Sequence, residues 1–440
     1  MTHDVSPRPE PRSFGEHVRS IYGADGLVVQ PRMGFGTPGA MRAGLVATKE
    51  TRARTVGTIT VDSYTRVGDH GAALRALDSG MELNGYPIVD HPIQVTRNVI
   101  DGVLSPDFPI QVRHGSARPG AITRALLRAG LNATEGGPVS YCLPYGRVPL
   151  QESIVNWSEA SAQLAAESGG LAHLETFGGC LLGQLCPPSL LVAVSVLEAR
   201  FFALHGIKSL SLSYAQQTNF DQDVEAVVAM RQLAGEFVPA QDVHYVIYAY
   251  MGVYPRTRTG ALQLLRQAAR LAVHTDSERL IVKTAAEAHR IPTIAENVEA
   301  LEVSSMAARL YGQERKGDVR QPLADLENPT YREARRLIEA VLGLSSDLNR
   351  SLSESFRLGY LDVPFCLHPD NAGQSRSYID DEGRLQWSSV GGMPISPAVR
   401  GTSGRPAPLT SRGLLAALNF ARDNFDRPAL TSQQSAIRED

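Results

Sequence analysis

Four apolar runs in this chain lead into a cation: 27–30 into Arg32, 58–62 into Arg66, 109–112 into Arg113 and 280–282 into Lys283. Several such endings at one mouth would make a pocket for an anion with more than one carboxylate or phosphate. Arginine suits planar carboxylates because its guanidinium donates in a fixed fork. The alternative is a rim network of salt bridges, and pattern alone leaves both readings open. Glu135, Tyr141 and Tyr145 are the counterweight. A carboxylate among arginines stays ionised and can hold a ligand ammonium. Equally, Glu135 can pair with one arginine while the two tyrosines are ordinary core residues with tethered hydroxyls. Together these residues match a dicarboxylic amino acid, glutamate or aspartate being the simplest. His114 directly follows Arg113, either in the pocket or orienting its neighbour.

Positioning these groups requires strands that end on one edge. The stretch 109–145 reads as a strand, a helix opened by Pro119 and stopped by Gly130, and a second strand over 135–145. Parallel strands joined by a helix end on the same side, where parallel α/β enzymes put their chemistry. Nine strand candidates (27–32, 58–62, 83–87, 109–113, 135–145, 174–177, 209–214, 243–248 and 280–283) alternate with helical stretches. That rhythm predicts an α/β fold, a (β/α)8 TIM barrel with one candidate to spare. The expected organisation is a flexible arm over 1–13, a barrel over 14–321 and an α+β appendage over 322–399. A linker, a short helix near 414–423 and a polar tail then fill 400–440.

Composition narrows the class. Of 440 residues 43 % are hydrophobic and 20 % charged, with a net charge of −3, so neither nucleic acid nor an anionic membrane is an expected partner. Lysine occurs only at 49, 208, 283 and 316 among 43 basic residues, so a stray arginine says little. Cys142, Cys180, Cys186 and Cys366 form no metal-ligand pattern, which suits a reducing compartment, and no metal site is expected. No run approaches a membrane span and 1–13 lacks an apolar signal core, so a cytoplasmic location is expected. No glycine cradle for a nucleotide is present. Asp242-Val243-His244 opens like the D-x-H-x-x-G loop that offers a histidine to cobalamin, but the glycine is missing, so His244 is read as structural.

The motifs resemble a known family. Val29-Gln30-Pro31-Arg32, Asp62-Ser63-Tyr64-Thr65-Arg66, Leu83-Asn84-Gly85 and Gln111-Val112-Arg113-His114-Gly115 are similar to the large (epsilon) subunit of glutamate mutase. So are Glu135-Gly136-Gly137, Ser140-Tyr141, Pro144-Tyr145, Tyr250-Met251-Gly252, Ile281-Val282-Lys283-Thr284, Glu287 and Ile291-Pro292-Thr293. The likeness runs in order from about residue 27 to 300. It continues more loosely through Val363-Pro364-Phe365 and Asn371-Ala372-Gly373.

The resemblance implies an adenosylcobalamin-dependent isomerase that interconverts L-glutamate and (2S,3S)-3-methylaspartate. Its radical mechanism would fragment the substrate to a glycyl radical and acrylate and then recombine them. It places an arginine claw on Arg32, Arg66 and Arg113, the ammonium-facing glutamate on Glu135, and tyrosines on Tyr141 and Tyr145. Contacts to the adenosyl group and cobalamin fall on Gly34, Thr60, Asn84, Pro144, Met251, Lys283, Glu287 and Ile291. It also implies a small cobalamin-binding (sigma) subunit carrying D-x-H-x-x-G, and self-association into a dimer of barrels. The chain departs from the family pattern at Pro138 and Arg279, which bears on substrate range and rate. Two other readings fit such a barrel: a cobalamin-independent lyase acting on an acidic amino acid, and an inactive barrel serving as a scaffold.

Overall fold

The computed structural model describes residues 12–144, 146–181, 185–315, 328–396 and 410–436. Eight parallel strands form the central sheet: β1 (Val28–Gln30), β2 (Gly57–Thr60), β3 (Ile110–Arg113), β4 (Ala133–Gly136), β5 (His173–Thr176), β6 (Ser209–Ala215), β7 (Asp242–Tyr248) and β8 (Arg279–Ile281). Each pairs with its sequence neighbour from β2 round to β8, and β8 pairs with β1. A single bridge, Val29 to Thr55, and the Val29 N–H on the Arg54 carbonyl (2.8 Å) close β1 onto the β2 side. This is a (β/α)8 barrel. Nearly every strand residue is buried, as expected when helices cover the outside and side chains fill the inside.

The spare strand candidate is 83–87. Tyr86 makes one bridge to Val61 and gives its N–H to the Thr60 carbonyl, but no ladder forms. The expected strand over 135–145 is also corrected. β4 lies earlier, and Gly136, at φ 139°, turns the chain away so that 138–144 are turns. Of the four expected cationic strand ends only Arg113 ends a strand. Arg32 and Lys283 lie two residues beyond β1 and β8, and Arg66 sits on the short helix Ser63–Val67.

The helix Pro188–Leu204 is apolar on every side because it is buried twice, against the barrel and beneath the helix Pro329–Leu342. That covering helix, the helix Leu348–Arg357 and an antiparallel hairpin of β9 (Arg376–Ile379) and β10 (Leu385–Ser389) make up the region after the barrel. Leu337, Ile338 and Trp387 join the same apolar core as Leu191 and Val194. The chain stretches at the expected boundaries 321 and 399, and most of the arm 1–13, lie outside the described residues. The short helix expected near 414–423 is Ser411–Ala436, and its Asp426 accepts the N–H groups of Arg256 and Thr257 at the start of Arg258–His274.

The amino end of the barrel is shut. Ser13 caps the helix Phe14–Asp25 in a capping box with Glu16. Phe14 packs on His173 (5.1 Å between rings) and under the Arg279 guanidinium. Gly15 comes so close that a Cβ there would strike Ser209 and Asp242. His173, Ser209, Asp242 and Arg279 are the first residues of β5 to β8, which fixes the end that this helix plugs.

Candidate active site

At the opposite end a cavity of about 640 Å3 opens among the strand exits. It gathers Arg32, Arg66 and Arg113 with Gly34, Thr60, Asn84, Met251, Lys283, Glu287 and Ile291. Glu135, Tyr141 and Pro144 do not line it, and Tyr145 lies outside the described residues.

Each cation reaches the cavity differently. Arg32 donates through Nη1 to Glu287 (3.2 Å), and its Nε is shut from solvent with no partner. Glu287 is set by the turn Ala285–Ala288, where its carboxylate takes the Thr284 N–H. Arg66 is brought back towards the mouth by its helix, whose Asp62 cap accepts from Tyr64 and Thr65, and its Nε donates to the Val61 carbonyl (3.0 Å). Lys283 stands 4.5 Å from the Tyr254 ring centre. Burial pulls its pKa down to about 8, with Glu287 opposing and Arg32 adding to the shift. Thr60, the last residue of β2, has a hydroxyl shut from solvent and unpartnered. Asn84 accepts the Ser63 N–H (2.9 Å), while Met251 and Ile291 give the rim an apolar side.

Arg113 joins the cavity to the barrel interior. Its Nε donates to Glu135 (2.8 Å), and both side chains are buried. Glu135 also accepts from the hydroxyls of Tyr141 and Tyr248. Burial alone would raise the Glu135 pKa, but Arg113 and these hydrogen bonds outweigh it and hold the group below the ordinary carboxylate range. Tyr141 packs against Phe177 (4.9 Å) and lies edge-to-face with His114 (5.2 Å). His114 stacks on Trp157 and accepts the Ser116 N–H; burial takes its pKa down to about 3, so it is neutral.

A second ion pair lies deeper. Tyr248 Oη is 2.5 Å from Glu175 as well as from Glu135. Glu175 pairs with Arg279, whose guanidinium also meets Gln30, Gln111 and Ser211 and lies 3.4 Å from His244. Arg279 therefore belongs to the barrel interior and not to the cavity wall. His244 is fully buried and stacked on His173, so it has no access to a ligand at the mouth. Tyr248 and Glu175 went unnoticed in the sequence, although a charged residue within Leu174-Glu175-Thr176 was an available signal.

The fold and site define a (β/α)8 barrel with an arginine-lined pocket at the carboxyl ends of its strands. The family model for the methylaspartate mutase E chain (MutE) matches residues 8–413, and the chain belongs to that family. Its relatives include the glutamate mutase epsilon subunit of Halobacterium salinarum, 31 % identical over 347 residues, covering 76 % of this chain and 71 % of the relative. The epsilon subunits of Desulfitobacterium hafniense and Escherichia coli O157:H7 are 29 % and 28 % identical, covering 78 % and 76 % of this chain and 72 % of each relative. Among solved structures, a truncated 3-deoxy-D-arabino-heptulosonate 7-phosphate synthase from Thermotoga maritima has a TM-score of 0.36 at 10 % identity over 66 % of this chain and 87 % of its own, too distant to carry an argument. No helix among the described residues is long and apolar enough to cross a membrane.

Proposed function

We propose that this chain is the barrel subunit of an adenosylcobalamin-dependent, cytoplasmic mutase that interconverts L-glutamate and (2S,3S)-3-methylaspartate. The observation that carries this reading is the convergence of Arg32, Arg66 and Arg113 from three separate segments on one cavity, in a chain of this family. Two carboxylates of one small substrate would be gripped by that claw, with Glu135 and Tyr141, buried behind Arg113, setting its guanidinium and reaching the ammonium only once Arg113 moves towards the substrate. The unpartnered Thr60 hydroxyl, with Asn84, Lys283, Glu287 and the apolar Met251 and Ile291, fits an adenosyl group. When bound, adenosylcobalamin would supply the radical that removes a substrate hydrogen. The chain's own residues would hold the substrate in one orientation and keep water away while the carbon skeleton rearranges.

A cobalt ligand is not on offer from His244, so a partner carrying D-x-H-x-x-G is part of the proposal, as is a dimer of barrels. The test is to incubate the purified chain with glutamate and adenosylcobalamin, with and without such a small subunit. Methylaspartate is expected only with the partner. Product from the chain alone would refute the need for a partner, and none with it would refute the activity.

A further inference from the structure

Behind the pocket, on the helix Pro188–Leu204, Glu198 is completely buried and its carboxylate gathers the turn after β4. It accepts the N–H groups of Val139 (3.2 Å) and Ser140 (2.8 Å) and the Ser140 hydroxyl (3.0 Å), all from the turn after β4. Gly137 passes so near that any Cβ would run into the carboxylate, so the turn is built around it. That turn carries Tyr141 to Glu135, and Tyr141 packs on Phe177, which also meets Tyr248 (5.5 Å). We infer that Glu198 is a positioning residue, holding Tyr141 against Glu135 of the Arg113–Glu135 pair through the turn that its carboxylate ties together.

The chemistry of the cradle makes this dependence visible. Every partner is a neutral donor, and only the Ser140 hydroxyl could turn round to accept a proton from a carboxylic acid. The titratable groups on the elements around it include Glu135, Tyr141, Glu175, Cys180 and Tyr214 on the barrel side, Asp223 and Arg231 on the helix Phe220–Phe237, and Glu333 and Arg336 on the helix Pro329–Leu342; among the described residues none is hydrogen-bonded to Glu198. Burial, only partly offset by the donors from Ser140 and Val139, raises its pKa to about 7. By linkage the group contributes stability below its ordinary carboxylate range, and that contribution is lost as pH rises through about 7. Order in the turn has the opposite sign, because the three donors are best met by the ionised form. Stability and site order should therefore move in opposite directions across neutral pH.

The chain carries two tryptophans, and Trp157 touches this region, 6.2 Å from the Tyr141 ring. In a Trp387→Phe background its emission reports the turn alone, and neutral His114 beside it does not titrate near pH 7. Emission is followed on the full chain between roughly pH 5 and pH 9. A transition near pH 7 is expected, absent in Glu198→Gln and shifted to higher pH in Ser140→Ala, which removes one donor. In the complex with the small subunit, Glu198→Gln should raise the glutamate KM about tenfold at alkaline pH and flatten its pH dependence, with thermal stability above pH 7 equal or higher. An unchanged emission transition in Glu198→Gln, or wild-type KM at every pH, would overturn the inference. The glutamate readout rests on the proposed function but the emission readout does not. If the wild-type complex makes no methylaspartate while Glu198→Gln still abolishes the transition, the activity fails and the role of Glu198 stands.

Discussion

Two buried ion pairs, Arg113–Glu135 and Arg279–Glu175, touch the same phenol and differ in what surrounds the arginine. The deep guanidinium is enclosed by Gln30, Gln111, Ser211 and His244, with Phe14 against its face. Arg113 uses Nε on Glu135 and makes only a long 3.5 Å contact from Nη2 to Tyr248, while its outer side faces the cavity. A buried ion pair by itself marks nothing, because structural and functional pairs look alike in charge and burial. What separates these two is the donor capacity left facing open space.

That contrast is broken most severely at the deep pair. Arg279→Leu strands the Glu175 charge in the barrel, and removing one partner of a buried pair costs about 3–5 kcal/mol. Denaturant unfolding should show a loss of that size, and a chain of near-normal stability would mean that Arg279 is not the counter-ion that holds Glu175. At the mouth the effect should fall on binding instead. Arg113→Lys keeps the charge and loses the fork, and a charge-assisted hydrogen bond is worth roughly 1.5–3 kcal/mol, about ten- to a hundredfold in kcat/KM. Unaltered kinetics in a folded Arg113→Lys complex would remove Arg113 from the claw.

Much of this arrangement was legible from residue order. Arg113 and Lys283 follow apolar runs that had to be strands, and the β/α rhythm gave the barrel. Arg66 was misplaced because the four residues after Val61 contain no breaker, and only the Asp62 cap reveals the helix Ser63–Val67. The strand expected over 135–145 failed for a related reason: Val139, Tyr141 and Leu143 alternate like a strand, while Gly136 and the cradle on Glu198 turn the backbone. The deep pair was hidden by distance. Glu175 and Arg279 are 104 residues apart, and nothing local in either strand names its partner.

Tyr248→Phe sharpens the comparison, since one hydroxyl serves both pairs. Its loss should cost about 1 kcal/mol of stability and a few-fold in substrate affinity, read by unfolding and by calorimetry on one preparation. An effect on stability alone would assign the hydroxyl to the deep pair. The smallest effect belongs to Lys283, whose pKa is pulled from 10.5 to about 8. Between those values the unfolded chain binds the extra proton, so stability rises with pH across the window and falls as pH drops through about 8. Affinity for an anionic ligand should weaken over the same rise as the ammonium charge is lost. Affinity that is flat across pH 8 in wild type, or unchanged in its pH course by Lys283→Met, would exclude Lys283 from anion binding.

Among the described residues, the plug formed by Ser13, Phe14 and Gly15 closes the amino end of the barrel and leaves the carboxyl end open. A ligand seated at Arg113 has no exit past Phe14 and Arg279, so loading and unloading share the mouth. Anything that settles over that mouth must come second and leave first. An order of arrivals and departures would thus follow from a helix at the far end of the barrel from the pocket.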